Sequence, residues 1–185
     1  MINTNKRTLL LNANFYPISY FPLSLVHWQN AIKAAFLGRV NIVSEYDIEI
    51  RSKNTSMKIP SVVSLKKFIT FKSTPTFNRF NVFLRDDFTC QYCMLKLPAH
   101  ELTFDHVVPK FKNGKTNWDN VVTACTVCNF RKGHQNPEDV GLTLRKVPTE
   151  PTQKELQKNG KKYPPRYLHK SWMDYLYWDS SFENN

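Results

Sequence analysis

At 185 residues the chain can bury one sizeable core, or one core plus a small metal-stapled module, and 26 Lys+Arg against 15 Asp+Glu leave a formal net charge of +11. That excess points to a polyanionic partner, and no apolar stretch is long enough to span a bilayer, so no membrane partner is expected. The apolar run Leu9–Leu11 is cut off by Asn12 and Asn14 before it could serve as a secretory core, and all four cysteines fall into two pairs, so a cytoplasmic protein with reduced thiols is expected.

In chain order, three regions differ in texture: an N-terminal α+β region over 1–75, a motif-bearing region over 76–140, and a basic, proline-containing C-terminal extension over 141–185. In the first, Leu9–Leu11 begins a strand. Ser24 is placed to cap a helix carrying Leu25, Trp28, Ile32, Ala35 and Phe36 at helical spacing, and Gly38 stops it. Val40–Val43 and Ile48–Ile50 read as strands around a turn at Glu45–Asp47, and Lys72–Thr76 reads as a linker. The region is an accessory candidate for target or protein-partner binding. In the extension, Pro148, Pro151, Pro164 and Pro165 predict irregular chain, closed by the aromatic stretch Tyr167–Trp178. Trp28 and most of those aromatics are expected to pack, although stacking on bases is the functional alternative. Basic residues bracket the middle region: Lys66, Lys67, Lys72, Arg79 and Arg85 before it, Arg131 and Lys132 within its end, and Arg145 to Arg166 after it.

The middle region carries the chemistry. Cys90-x-x-Cys93 and Cys125-x-x-Cys128 each form a tight knuckle, and two knuckles complete a closed tetrahedral thiolate site for structural Zn²⁺. A dithiol redox role would use one pair and leave the second unexplained. Leu102–His106 alternates like a strand that Val107 and Val108 continue to Pro109; Lys112-Asn113-Gly114-Lys115 is a turn signal. Asn120–Ala124 reads as an antiparallel return strand, followed after Cys128 by a short helix through Lys132 that Gly133 ends. Strand, strand and helix are expected to bring Asp105, His106 and Asn129 together across one concavity.

Three segments carry a strong resemblance to the HNH endonuclease family: Arg85-Asp86-x-Phe88-Thr89-Cys90-Gln91-Tyr92-Cys93, Asp105-His106-Val107-Val108-Pro109, and Asp119 through Ala124 with Cys125-x-x-Cys128-Asn129-x-x-Lys132-Gly133. Leu9–Pro22 and Tyr167–Trp178 also look like the flanks of small stand-alone bacterial HNH proteins. The resemblance implies an α+β protein built on a ββα-metal core stapled by a four-cysteine zinc site. It implies a metal-dependent endonuclease hydrolysing phosphodiester bonds in DNA, double-stranded DNA first, with 5′-phosphate and 3′-hydroxyl products. By position, His106 matches the general base, Asp105 and Asn129 the ligands of a catalytic Mg²⁺ or Mn²⁺, and Asn120 the residue that braces the base-bearing loop. Lys132 and Arg131 are the candidate phosphate contacts.

Other readings stand beside this one. A non-catalytic, zinc-dependent nucleic-acid-binding protein would keep the fold and the charge but would have no need of Asp105, His106 and Asn129 together. His134 is expected to be merely exposed, and His27, His100 and His169 to be structural or solvent-facing. Met94 stands where many relatives have glycine, so a left-handed turn there is less comfortable. Asn129 in place of histidine is a harder, neutral ligand and favours Mg²⁺ or Mn²⁺.

Overall fold

A computed structural model of the protein describes residues 6–51, 56–70, 74–165 and 167–176. The chain is α+β and divides into two units, one made of residues 1–70 with 160–185 and the other of residues 71–159. The expected C-terminal extension is therefore not a third region: residues 141–159 belong with the second unit and the rest with the first. Of the expected linker, Lys72 and Ser73 lie outside the described residues, as do Tyr177 and Trp178 of the aromatic stretch.

In the first unit, β1 (Arg7–Leu11), β2 (Leu25–His27), β3 (Val40–Arg51) and β4 (Ser56–Leu65) form one sheet in the order β2-β1-β4-β3. The β1–β4 pairing is parallel, Leu9 opposite Val62, and the other two are antiparallel. Helix α1 spans Trp28–Phe36, later than expected. Ser24 does not cap it: its hydroxyl donates to Leu10 O at 2.8 Å, and Leu25–His27 are used to pair with β1. Gly38 follows the helix at φ +66°, as its stop position requires. The expected turn at Glu45–Asp47 is also replaced. β3 runs through it as one strand, and the irregularity is absorbed as register shifts against β4 between Ile42 and Glu49.

Ile59–Ser64 of β4, a central strand of the sheet, are buried on both faces, although Ser61 and Ser64 interrupt the apolar residues. Val63 packs with Ala31 of α1 and Val40, whereas Ile59 and Val62 join Leu9, Leu11, Tyr46, Trp172 and Leu176. Trp172 precedes α5 (Met173–Leu176) and donates its indole N–H to Ser61 O at 2.8 Å. It is a core residue and is closed to base stacking. The region expected to be irregular holds helix α4 (Gln153–Lys161). A reciprocal cap starts it: Glu155 N–H donates to Thr152 Oγ1 at 3.2 Å, and Thr152 N–H donates to a Glu155 carboxylate oxygen at 2.7 Å.

The second unit is a hairpin between helices. β5 (Leu102–His106) and β6 (Val121–Cys125) pair antiparallel, with Leu102 opposite Cys125 and His106 opposite Val121. Alternation divides the hairpin into two faces. Phe104, His106, Val121 and Thr123 share one, against which α2 (Arg79–Arg85) packs through Val82, beside Trp118 and Phe77. Thr103, Asp105, Val122 and Ala124 share the other, against the knuckle residues Cys90, Tyr92, Cys125 and Cys128 and helix α3 (Thr126–Lys132). The end of α2 is pinned by charge. Arg85, paired with Asp86 at 2.8 Å, donates to Trp118 O and Val121 O, while Asp86 accepts from Thr123 N–H. Arg85 is thus a structural cation and not a free member of the basic run.

Candidate active site and metal centre

The knuckles come from two different local structures. After Cys90, a turn in which Met94 N–H donates to Cys90 O at 3.0 Å reverses the chain, and Met94 holds φ +68°. The left-handed turn is kept without glycine, in the conformation that a Cβ makes costly. Cys125 closes β6 and is the N-cap of α3, its sulfur accepting from Cys128 N–H at 3.3 Å. The four sulfurs all lie within 4.8 Å of one another, with Cys93 and Cys125 at 3.9 Å. Tetrahedral zinc with bonds of about 2.3 Å separates its sulfurs by roughly 3.8 Å, so the set fits one ion with no open position. Burial, then the neighbouring sulfurs, push the Cys128 thiol well up, while Cys90 is lowered: burial raises it, but backbone N–H donors from Cys93, Cys125 and Tyr92 outweigh that. A dication removes this competition by holding all four as thiolates.

Above the metal centre, the two key residues of β5 separate. Asp105 is 6% exposed and has a donor on each oxygen: Tyr92 OH at 2.6 Å on Oδ2 and Lys132 Nζ at 3.2 Å on Oδ1. Burial, then the hydrogen bond to Asp105, raise the Tyr92 hydroxyl far beyond its usual range, so it stays a donor. Lys132 is 1% exposed and also donates to His106 O at 2.7 Å. It cannot be the phosphate contact expected of it. Arg131, one step round the helix, is exposed; one guanidinium nitrogen donates to Val140 O at 3.1 Å. Asn129 shares the inner side of α3 with Lys132 and donates to Thr103 Oγ1 at 2.9 Å.

His106 lies on the opposite face, its ring 5.9 Å from that of Phe104 and its Nε2 2.8 Å from Thr116 Oγ1. Asp105 and Asn129 thus share the α3 side of the hairpin, and the His106 ring leaves the strand on the other side. Neighbours in an extended strand point to opposite faces. His106 is the last residue of β5, and its ring remains within electrostatic reach of the Asp105 carboxylate and of Lys132. Burial lowers its pKa from the ordinary histidine value, and Lys110 adds to this more than the Asp105 carboxylate offsets.

Asn120 fixes the loop beyond His106. Its Oδ1 accepts from Val108 N–H at 2.9 Å, and its Nδ2 donates to Val108 O at 3.0 Å and Lys115 O at 2.8 Å. Gly114 is required where the loop closes, since a Cβ there would meet Val108 O at 1.8 Å and Asn120 Nδ2 at 2.9 Å. Gly114→Ala is expected to displace this loop and destabilise the protein by about 1–3 kcal/mol or more, the usual range for forced overpacking, as read from a thermal melt. An unchanged melting temperature would show that the loop has another way to close.

Sequence reasoning passed over Tyr92, Thr116 and the burial of Lys132. A signal for the last was present: Asn129 and Lys132 are three residues apart, so any helix placing one inward places the other inward too. His134 is exposed and stacks edge-on with Phe111, and His169 packs on Tyr46, as background roles require.

The donor set on the α3 face is one of hard oxygens, the Asp105 carboxylate and the Asn129 amide. It suits a small divalent cation in kind, because each carboxylate oxygen that accepts one hydrogen bond keeps a second lone pair. Among the described residues, the four cysteines are the only set of three or more His, Cys, Asp or Glu side chains close enough to hold an ion.

A hairpin and a helix clasped by a four-sulfur site define a zinc-stapled ββα module. Two family models match the chain: HNH endonuclease-associated, N-terminal domain, over residues 8–73, and HNH endonuclease, over residues 90–144. The chain belongs to the HNH endonuclease family. No curated protein matches it. No helix among the described residues is long and apolar enough to cross a membrane.

Proposed function

We propose that the protein is a metal-dependent endonuclease that hydrolyses phosphodiester bonds in DNA, duplex DNA first, with His106 as general base and Asp105 and Asn129 as ligands of Mg²⁺ or Mn²⁺. The observation that carries this reading is the His106 ring itself: partly exposed at the end of β5, with surroundings that favour its neutral form. Thr116 occupies Nε2 and orients the ring, so Nδ1 is the nitrogen left to take the proton of an attacking water. Asn120 supports the same step by holding the loop that follows. When bound, the cation supplies Lewis-acid stabilisation of the phosphate and of the leaving 3′-oxygen. Arg131 and the exposed Lys110 supply charge for neighbouring phosphates; Lys132 does not. The N-terminal unit, which carries the associated-domain match, is the part proposed to bind the target or a protein partner. A cytoplasmic location belongs to the same reading.

The test is conversion of supercoiled plasmid by the purified, zinc-loaded protein. Open-circle or linear product is expected with Mg²⁺, none after brief EDTA treatment, and recovery when Mg²⁺ is added back. Equal conversion in EDTA would overturn the cation's role. Tight DNA binding without conversion under any divalent cation would favour the non-catalytic binding protein.

A further inference from the structure

We infer that Tyr92 and Lys132 are positioning residues, and that Tyr92 ties the Asp105 carboxylate to the zinc knuckle. The inference rests on the reading of Asp105 and His106 as the reactive pair. Tyr92 stands between two zinc ligands, so its backbone goes where the knuckle goes. Gln91 N–H donates to Thr123 O at 2.8 Å and fastens that knuckle to β6, and the Tyr92 hydroxyl then crosses to β5 and meets Asp105 Oδ2 at 2.6 Å. From the other side, Lys132 is four residues past Cys128 on α3, and one ammonium contacts both Asp105 Oδ1 and the carbonyl of His106.

Neither side chain is a simple filler. A buried ammonium carries a desolvation cost that an apolar side chain of the same length would avoid, and Lys132 is 1% exposed. What its charge provides is a pair of bonds to two successive residues of β5, which fixes the carboxylate on one face and the backbone beneath the imidazole on the other. With a donor on each oxygen, the Asp105 carboxylate has one plane and presents only its remaining lone pairs. Both donors descend from the metal centre, Tyr92 from the first knuckle and Lys132 from the helix that begins at the second. Zinc occupancy and the placement of the reactive carboxylate are thereby one mechanical unit.

The test compares Tyr92→Phe, Lys132→Met and Lys132→Arg with the wild type, each as full-length, zinc-loaded protein. Tyr92→Phe is expected to keep its zinc content and its plasmid KM, to lose about 10–100-fold in kcat, and to bind Mn²⁺ about 10-fold more weakly by electron paramagnetic resonance. Lys132→Met is expected to lose kcat similarly, and Lys132→Arg to recover part of it. Wild-type kcat and Mn²⁺ affinity in Tyr92→Phe would overturn the inference, as would a fall in zinc content matching the fall in rate. If Lys132→Met does not fold, Tyr92→Phe decides alone. A His106→Ala control separates the two levels: if it too keeps full activity, the underlying reading fails; if it is inactive while Tyr92→Phe is not, only the positioning role fails.

Discussion

His106→Ala is expected to lower kcat for plasmid nicking by roughly 10²–10⁴-fold, the usual contribution of a positioned general base, with little change in KM. The fold should survive. The ring is partly exposed, its hydrogen bond to the Thr116 hydroxyl is on the surface, and the strand pairing with Val121 is made by backbone atoms that alanine keeps. The buried side of β5 is untouched, since Asp105, Tyr92 and Lys132 lie on the other face. Initial rates at saturating Mg²⁺, beside far-ultraviolet circular dichroism, give the measurement. A loss below tenfold in a folded variant would mean that another group takes the water's proton.

The second large effect concerns the metal. Cys125→Ser is expected to lose zinc and, with it, the cooperative folding of the second unit. Cys125 serves three purposes: it pairs with Leu102 at the end of β6, caps α3, and contributes one of four clustered sulfurs. Apparent zinc-binding free energies in small structural sites are about 10–16 kcal/mol, comparable with or larger than the whole stability of a domain, so the apo form has little to fall back on. Cys93→Ser should lose the metal too, but Cys93 is exposed and its replacement costs less packing than that of buried Cys125. Zinc content by emission spectrometry and thermal melts of the two variants would check both claims. Zinc near one per chain in Cys125→Ser would sink the four-thiolate assignment.

Much of the site could be read from residues alone because short-range chemistry dictates it. Two knuckles specify a sulfur cluster, alternation specifies a strand at Leu102–His106, and Gly133 at φ +54° ends the helix that Asn129 and Lys132 share. What stayed hidden depends on partners distant in the chain. Leu25 has helical spacing with Trp28, yet β1 claims it as a strand residue, because pairing with Arg7–Leu11 satisfies backbone groups that a longer helix would also have satisfied. The bend signalled at Glu45–Asp47 was absorbed because β4 offers a continuous partner on that side. The prolines before α4 obscured a Thr152-x-x-Glu155 capping signal that was local and legible. The divergence of Asp105 and His106 was legible from strand geometry alone: they are consecutive, and consecutive strand residues leave on opposite sides.

Helix α3 has seven residues, and within two turns it supplies a sulfur, an amide and an ammonium to three different tasks. Each residue of an α-helix turns by roughly 100°, so one amino acid inserted after Cys128 would swing Asn129 and Lys132 off the hairpin while leaving the clasp intact. Length changes in this stretch are therefore closed to natural drift and to protein engineers alike. New target preferences have to be built elsewhere, in the spans that leave and re-enter the hairpin.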